Sequence, residues 1–292
     1  MPLIGRLIIQ TLVKGGVYGL LASGFSLIFG MAHIINLAHT AFFMLAAYGM
    51  FYFMRELGWG AAQAIALTFV GVTLLGLLAY RFLLDRVRQH IVAVLLMTIA
   101  LALAFQEVML LAFGAHFLSA PTIIAGSTHI LGVSIPNQQL LSLGIVAVVM
   151  VMLWLLLTKT KLGVSIRATA QDPEIASLMG ISVPRTLLIT MGIATALAAA
   201  AGIAVAPLWT VYPEMWTSPL VMVMVIVVLG GLGSTKGSFI GAFIIALVEN
   251  LVIFFMPSGS YLSTVFALLA MVIVLVVRPA GLFGTIFEEE KL

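Results

Sequence analysis

The sequence predicts an all-α polytopic membrane protein with about eight or nine transmembrane helices, one of them broken or re-entrant. Of its 292 residues, 63% are apolar and 8% are charged, whereas about a quarter of the residues in a soluble protein are charged. A water-soluble enzyme could not cover its surface with so few charges. At roughly 20 apolar residues per span, the apolar residues are enough for about nine spans.

Composition also excludes several functions. The net charge of +3 leaves no electrostatic footprint for nucleic acid, and the absence of cysteine excludes disulfides, thiolate metal sites and a cysteine nucleophile. Gln10 and Lys14 interrupt the first apolar run, which argues against a cleaved signal peptide. No linker or soluble domain interrupts the pattern, so residues 1–292 are predicted to form one transmembrane domain.

Long apolar runs predict helices, because backbone groups inside lipid must satisfy their own hydrogen bonds. One run differs from the others, since Phe29–Thr40 contains Gly30, His33, Asn36 and His39. Such a polar stretch is typical of a broken segment that lines a cavity. The candidate spans are 7–29, 34–54, 61–80, 91–113, 139–157, 187–207, 218–232, 239–256 and 261–278.

Lysine and arginine are distributed unevenly among the loops, and this predicts their orientation. Basic residues occur in loops 81–90 and 158–186, at Lys236 and after Arg278, whereas loops 114–138, 208–217 and 257–260 have none. The basic loops and the C-terminus are therefore predicted to be cytoplasmic. Upstream of residue 81, three full spans place the N-terminus outside, whereas a re-entrant or broken segment would place it inside. Both remain open.

Two motifs resemble functional sites but lack residues that those sites require. The stretch Gly230–Ser238 looks like a phosphate loop, but Lys236 precedes Gly237, whereas the nucleotide motif requires Gly-Lys-Ser/Thr between a strand and a helix. We therefore expect no ATP site and no enzymatic activity in this chain. His33 and His39 are six residues apart with no carboxylate nearby, so no metal site is predicted.

Four glycines within eight residues (Gly230, Gly231, Gly233 and Gly237) are costly in a continuous helix. They predict a break that lines a cavity or a cytoplasmic vestibule.

Acidic residues within the spans are candidates for function, because burying a charge in lipid costs at least a few kcal/mol. Glu249 lies about ten residues into its span beside Asn250, and Glu107 follows Gln106. Each acid either functions, by lining a pathway or making a gating contact, or is structural, in a buried pair or as a protonated acid bonded to a neighbouring helix. They also leave two alternatives open: an ion- or proton-coupled secondary transporter that uses both acids, or a membrane-embedded enzyme that uses Glu249.

Loop 158–186 contains a short helix with both ends specified. Asp172 is a good N-cap, Pro173 is favoured at the first helical position, and Gly180 is a natural stop. This predicts a helix over 173–179 with Ile175, Leu178 and Met179 on one face. Two turns are unstable alone. The helix therefore either folds back on the membrane and the other loops or docks into a groove of a soluble partner.

Three blocks of sequence carry a resemblance to a known family. The first runs from Tyr18-Gly19-Leu20 through Asn36-Leu37-Ala38-His39 to Tyr48. The second runs from Lys161-Leu162-Gly163 through Gln171-Asp172-Pro173-Glu174 to Gly180-Ile181, and the third from Gly230-Gly231-Leu232-Gly233-Ser234 to Gly241 and Glu249. In this order the blocks resemble LivH-type permease subunits of branched-chain amino acid ABC transporters.

The resemblance implies an import complex in a bacterial or archaeal cytoplasmic membrane. It has two permease chains, related or identical, two cytoplasmic ATPase chains that bind ATP-Mg, and an extracytoplasmic solute-binding protein. This chain would bind no cofactor. The solute would be a branched-chain or other hydrophobic amino acid. Thr40 and Ala41 depart from the family pattern after His39, which keeps related permeases for urea, amides or aromatic acids as an alternative.

The resemblance and the residue patterns together give two sets of candidate site residues. The expected contact with the ATPase, the coupling site, comprises Arg167, Gln171, Asp172, Pro173, Glu174, Ile175, Ala176, Leu178, Met179 and Gly180. The expected translocation pathway comprises Asn36, His39, Thr40, Gln106, Glu107, Gly230, Gly231, Gly233, Glu249 and Asn250.

Overall fold

A computed structural model describes residues 2–130 and 133–284. Its helices are α1 (Pro2–Ala32), α2 (His39–Phe51), α3 (Ala61–Ala79), α4 (Asp85–Val87), α5 (Ile91–Phe113), α6 (Asn137–Lys159), α7 (Lys161–Gln171), α8 (Pro173–Leu178), α9 (Val183–Val205), α10 (Thr217–Gly230), α11 (Thr235–Phe255) and α12 (Gly259–Val277). Strands β1 (Ser127–Ile130) and β2 (Val133–Pro136) form an antiparallel hairpin, with Ser127 opposite Pro136. Single π-helical turns extend α2 to Glu56 and α3 to Leu84.

Helices occupy all nine segments predicted as spans, so the predicted fold class is confirmed. Within the described residues, seven helices are long and apolar enough to cross a membrane, namely α1, α3 with its extension to Val87, α5, α6, α9, α11 and α12. The other two, α2 and α10, have 13 and 14 residues. The chain is therefore a multi-pass membrane protein, with the small β-hairpin as an addition that the sequence did not predict.

Helix α9 lies at the centre of the bundle and is buried along most of its length. Its small residues allow this packing, because they let neighbouring backbones approach closely. A Cβ added at Gly202 would overlap the backbone of Phe43 in α2, and one at Gly192 would lie 2.9 Å from the Leu77 side chain in α3.

Helices α1 and α11 pack antiparallel along their lengths. Gly15 faces Phe243, Gly19 faces Phe239, and Gly30 faces Gly233. The end of α1 near Gly30 lies beside Arg167 and Lys236, and Met31 shares an apolar cluster with Tyr80, next to Arg81. We call this end of the molecule the basic end. The N-terminus of α1 therefore lies at the opposite end.

The chain crosses between the two ends a second time through a broken segment. Contrary to the predicted span 34–54, residues 33–38 are not helical, and α2 begins at His39. His39 lies level with Leu21 and Gly24 of α1, about 12 Å back from the end of that helix. Tyr48 reaches Phe113 at the far end of α5. The first part of this crossing is thus non-helical, and the segment is broken rather than re-entrant. Contrary to the second alternative, the broken segment still leaves the N-terminus at the end opposite the basic end.

The predicted loop 158–186 contains more structure than expected. Helix α6 continues to Lys159, α9 begins at Val183, and α7 fills Lys161–Gln171. The side chain of Thr160 caps α7 by accepting a hydrogen bond from the backbone N–H of Gly163 at 3.0 Å. Two short helices therefore connect the spans at the basic end. At the C-terminus, the described chain ends near Gly231 at this same end, and residues 285–292, including Lys291, lie outside the described residues.

Candidate translocation and coupling sites

Helix α8 has the ends that the sequence predicted. The Asp172 carboxylate accepts hydrogen bonds from the backbone N–H groups of Glu174 and Ile175, at 2.8 and 2.9 Å. Pro173 occupies the first turn, where its missing N–H costs nothing. Gly180 follows the helix with a φ of +84°, a conformation that glycine adopts without strain. The predicted helix 173–179 is confirmed, with Met179 as its C-cap.

The apolar face of α8 points away from the rest of the described chain. Leu178 is 86% exposed, Met179 79% and Ile175 60%, whereas Ala176 is buried. The backbone N–H of Ile181 donates to the carbonyl of Ala176 at 3.0 Å. The small residue therefore faces the protein and the three large apolar residues face outward. Contacts within the described chain leave this apolar surface uncovered.

Helix α7 holds α8 in place. Its buried residues Gly163, Ile166 and Thr169 face the bundle, where α7 packs against α1, α6 and α9. Arg167 and Gln171 are exposed. The structure thus places all ten residues of the predicted coupling site on one continuous α7–α8 segment.

Glu249 is buried and paired with Lys14, which was not among the predicted site residues. The Lys14 ammonium lies 3.1 Å from Oε2 of Glu249, and the two side chains are 22% and 4% exposed. The same ammonium lies 5.7 Å from the centre of the Tyr18 ring, within the range of a cation–π interaction. Beside this pair, the Asn250 amide donates to the Thr11 hydroxyl at 3.1 Å. Together these contacts join α1 to α11.

Asn36, His39 and Thr40 form a second buried polar site, at the break before α2. The Asn36 side chain accepts from the backbone N–H of Ala38 at 3.1 Å, and His39 Nε2 lies 3.0 Å from the carbonyl of Leu21. The Thr40 hydroxyl is buried and has no hydrogen-bond partner among the described residues. The broken backbone and this unsatisfied hydroxyl therefore lie within the bundle, at the depth of residues 21–24.

Gln106 and Glu107 point in different directions from α5. Gln106 accepts a hydrogen bond from the indole N–H of Trp216 at 2.8 Å. Glu107 is exposed, on a helix whose Leu103, Val108 and Leu111 are also exposed. Glu107 lies six residues before the end of α5, about 9 Å along the helix axis. It therefore does not belong to a buried structural pair.

The glycines of the third block form the turn between α10 and α11. Gly231 and Gly233 have φ angles of +101° and +82°, and the side chain of Ser234 caps α11 by accepting from the N–H of Gly237 at 3.1 Å. Gly230 and Gly237 are so close that a Cβ on either would overlap the other's backbone. The predicted break is confirmed, and Gly233 lines a cavity at the basic end.

The ten predicted pathway residues thus occupy four separate places: the Lys14–Glu249 cluster, the break before α2, positions 106 and 107 of α5, and the glycine turn. The sequence could have signalled Lys14, since an intramembrane lysine requires a counter-ion. It could not pair the two residues, because Glu249 lies on a helix far away in the chain.

Comparisons with known proteins agree with this architecture. The profile of the family described as "Branched-chain amino acid transport system / permease component" matches residues 7–275. The high-affinity branched-chain amino acid transport system permease protein LivH of Escherichia coli (strain K12) is 28% identical over 293 residues, covering 92% of each chain. BraD, a permease protein of the same kind of system from Pseudomonas aeruginosa, is 24% identical and covers 95% of this chain and 94% of its own.

An archaeal relative and a solved structure extend the comparison. The probable branched-chain amino acid transport permease protein LivH of Methanocaldococcus jannaschii is 25% identical, covering 93% of this chain and 90% of its own. The structure of PsaBC from Streptococcus pneumoniae in complex with Fab shares the fold, with a TM-score of 0.55, 13% identity and coverage of 94% and 92%. Since the family profile spans nearly the whole chain, the protein belongs to the permease family of branched-chain amino acid ABC transport systems.

Proposed function

We propose that this chain is the permease subunit of an ATP-driven importer of branched-chain or other hydrophobic amino acids, and that α8 couples it to a cytoplasmic ATPase. The observation that carries the proposal is the capped helix α8, whose three large apolar side chains are exposed. A partner groove that buries them would gain roughly 1.5–3 kcal/mol for each fully covered side chain. The ATP and Mg²⁺ would be bound by that partner.

Force applied to α8 would reach the centre of the bundle directly. Helix α8 contacts α7 and α9, and α7 packs against α1, α6 and α9. A movement of the ATPase would therefore push on the central helix and re-tilt the packed spans around it, which is a rigid-body form of alternating access.

The positive-inside rule places the basic end, α7, α8 and the C-terminus in the cytoplasm. The opposite end, with the N-terminus and the β-hairpin, would face the solute-binding protein outside a bacterial or archaeal cytoplasmic membrane.

The exposed Glu107 supports a second permease chain, identical or related. A carboxylate that faces lipid costs up to about 2.5–3.5 kcal/mol on insertion scales, the value at the centre of a helix, and Glu107 lies about 9 Å from the end of α5. The surface of α5 around Glu107 is therefore better explained as facing water or protein. We assign this surface to the translocation pathway between two permeases, with the break before α2 behind it.

The secondary-transporter alternative has less support. It requires Glu107 and Glu249 to share a proton or ion path, but α5 and α11 do not pack against each other in the described part of the chain. Glu249 also has its own counter-ion in Lys14. Substrates such as urea, amides or aromatic acids remain the alternative within the same family.

The test reconstitutes the permease with its ATPase subunits and binding protein in vesicles and measures uptake of radiolabelled leucine, with urea and phenylalanine as competitors. We expect ATP-dependent leucine uptake that Leu178→Asp abolishes, together with loss of ATPase co-purification. The matched control is Phe117→Asp, because Phe117 is 78% exposed at the opposite end. It should retain the ATPase. Full uptake and full ATPase association in Leu178→Asp would overturn the proposal.

A further inference from the structure

A groove of about 830 Å³ opens at the basic end, away from the exposed face of α5 and from α8. Its floor is α1, with Ser23, Ser26 and Gly30. One wall is α6, the other is the start of α11, and α7 closes part of the mouth. It differs in composition and place from the sites described above, with which it shares two residues, Gly233 of the glycine turn and Arg167 of the predicted coupling site.

The groove is closed toward the centre of the membrane. The Val146 side chain of α6 packs so closely on Gly16 of α1 that an added Cβ there would lie 2.8 Å from it. Phe239 packs in the same way on Gly19. The floor runs from Ser23 to Gly30, which are about 10 Å apart along the helix axis. The groove is therefore a slot that opens at the membrane surface and is shallower than one lipid leaflet.

The walls of the slot are apolar, its floor carries the buried hydroxyls of Ser23 and Ser26, and its mouth carries two cations. Leu27, Met150, Val151 and Leu153 contribute to the walls. Arg167 and Lys236 stand at the mouth, both exposed, and neither makes an ion pair within the described part of the chain. Trp154, also at the groove, is 52% exposed, as tryptophans at membrane interfaces often are.

An apolar slot with two cations at its mouth favours some occupants of the groove over others. A zwitterionic amino acid requires an acceptor for its ammonium group, and the described residues lining the groove include no carboxylate. A second permease is assigned above to the surface of α5 around Glu107, and the groove lies on a different face. An apolar slot with cations at its mouth matches an anionic headgroup attached to an acyl chain, and basic pockets between transmembrane helices on the cytoplasmic side bind such headgroups.

We propose that this groove binds one anionic phospholipid from the leaflet at the basic end. An acyl chain lies in the slot over Ser23, Ser26 and Leu27, and the headgroup lies between Arg167 and Lys236. The headgroup then bridges α7, which carries α8, and the first turn of α11. Bound lipid would therefore restrain the segment that the proposed function assigns to coupling, although lipid binding itself does not depend on that assignment.

The experiment measures lipid binding to the purified full-length permease by native mass spectrometry, with phosphatidylglycerol and phosphatidylcholine of identical chains. Two cations at the surface predict a preference for phosphatidylglycerol of roughly 30-fold at low salt. The variant Arg167→Gln/Lys236→Gln should remove most of that preference. Lys159→Gln/Arg185→Gln is the matched control, because it removes the same charge from exposed residues at the same end that do not line the groove. It should keep the preference.

A second variant tests whether lipid binding requires the slot itself, without changing charge or unfolding the protein. Ala147 is an exposed wall residue, so Ala147→Phe should fill the slot without disturbing the core. It should reduce phosphatidylglycerol binding while the chain stays monodisperse. Inorganic phosphate should not displace the lipid at equal concentration, since it lacks the acyl chain. Changing the glutamates at 288, 289 and 290 to Gln should not alter lipid binding.

Four results would overturn the proposal. They are equal affinity for the two lipids, equal loss in the charge-matched control, displacement by phosphate alone, and a large rise in binding when Glu288, Glu289 and Glu290 are neutralised. The last result would identify the C-terminal segment as the occupant.

Discussion

Helix α8 exposes apolar side chains, and the Lys14–Glu249 pair buries charged ones, so both arrangements are unfavourable taken alone. Contacts within the chain offset this cost for the pair but not for α8. The buried carboxylate has an ammonium 3.1 Å away and an aromatic ring beside that ammonium. The apolar face of α8 is mostly exposed in the described chain, although both ends of the helix are capped. We therefore interpret the pair as part of the internal framework and α8 as one side of an interface with a partner.

The largest expected effect comes from breaking the pair. Glu249→Leu leaves a lysine uncompensated between two membrane helices, and removing one partner of a buried ion pair typically destabilises a protein by about 3–5 kcal/mol. We expect a large loss of thermal stability in detergent, with loss of leucine uptake. Glu249→Gln should be milder, because an amide still accepts a hydrogen bond from Lys14.

The double variant Lys14→Met/Glu249→Leu distinguishes a framework role from a role in transport. Replacing both charges by apolar residues of similar size is often close to neutral, so stability and uptake should both recover. A stable double variant that no longer transports leucine would assign the pair to the pathway and reverse our interpretation.

The next effect concerns the glycine turn between α10 and α11. Gly237→Ala places a methyl group against the Gly230 carbonyl, and overpacking of this kind usually costs about 1–3 kcal/mol. The matched control is Gly71→Ala on α3, where an added Cβ would meet nothing within 4 Å. It should be neutral or stabilising. Equal melting temperatures for the two variants would show that the close approach at the turn does not matter.

The smallest effect is expected from the cap of α8. Asp172→Ala removes the acceptor for two backbone N–H groups and should cost about 1 kcal/mol of helix stability. Because α8 contributes little to the stability of the isolated permease, the melting temperature should hardly change. The association with the ATPase should weaken several-fold. Asp172→Asn should retain most of the association. A cap variant that lowers the melting temperature but not the association would mean that α8 supports the fold and not an interface.

The sequence predicted features that are specified locally. The caps of α8 lie within nine residues (Asp172–Gly180), and the glycine break is visible as four glycines in eight positions. The apolar runs located nine helices because lipid imposes the same requirement on every span. These predictions required no knowledge of which helices are neighbours.

Long-range features escaped prediction for a physical reason. Lys14 and Glu249 meet because α1 and α11 pack antiparallel, which no local pattern reveals. The start of α2 was placed too early, since residues 34–38 are apolar enough for a span but bend back along α1. Helix α7 was missed because it is amphipathic and short, and it lies on the bundle through Ile166 and Thr169. The four places occupied by the pathway residues likewise depend on packing.

The central claim, that α8 is the contact with the ATPase, can be tested by cross-linking. The chain contains no cysteine, so Leu178→Cys introduces a unique thiol on the exposed face of α8, and Phe117→Cys introduces one at the opposite end. A short thiol-reactive photo-cross-linker is attached to each purified variant before the transporter is assembled. We predict that position 178 forms a covalent adduct with the ATPase subunit in high yield and that position 117 does not. An ATPase adduct in equal yield from both positions, or none from position 178 in a complex that hydrolyses ATP and imports leucine, would contradict the claim.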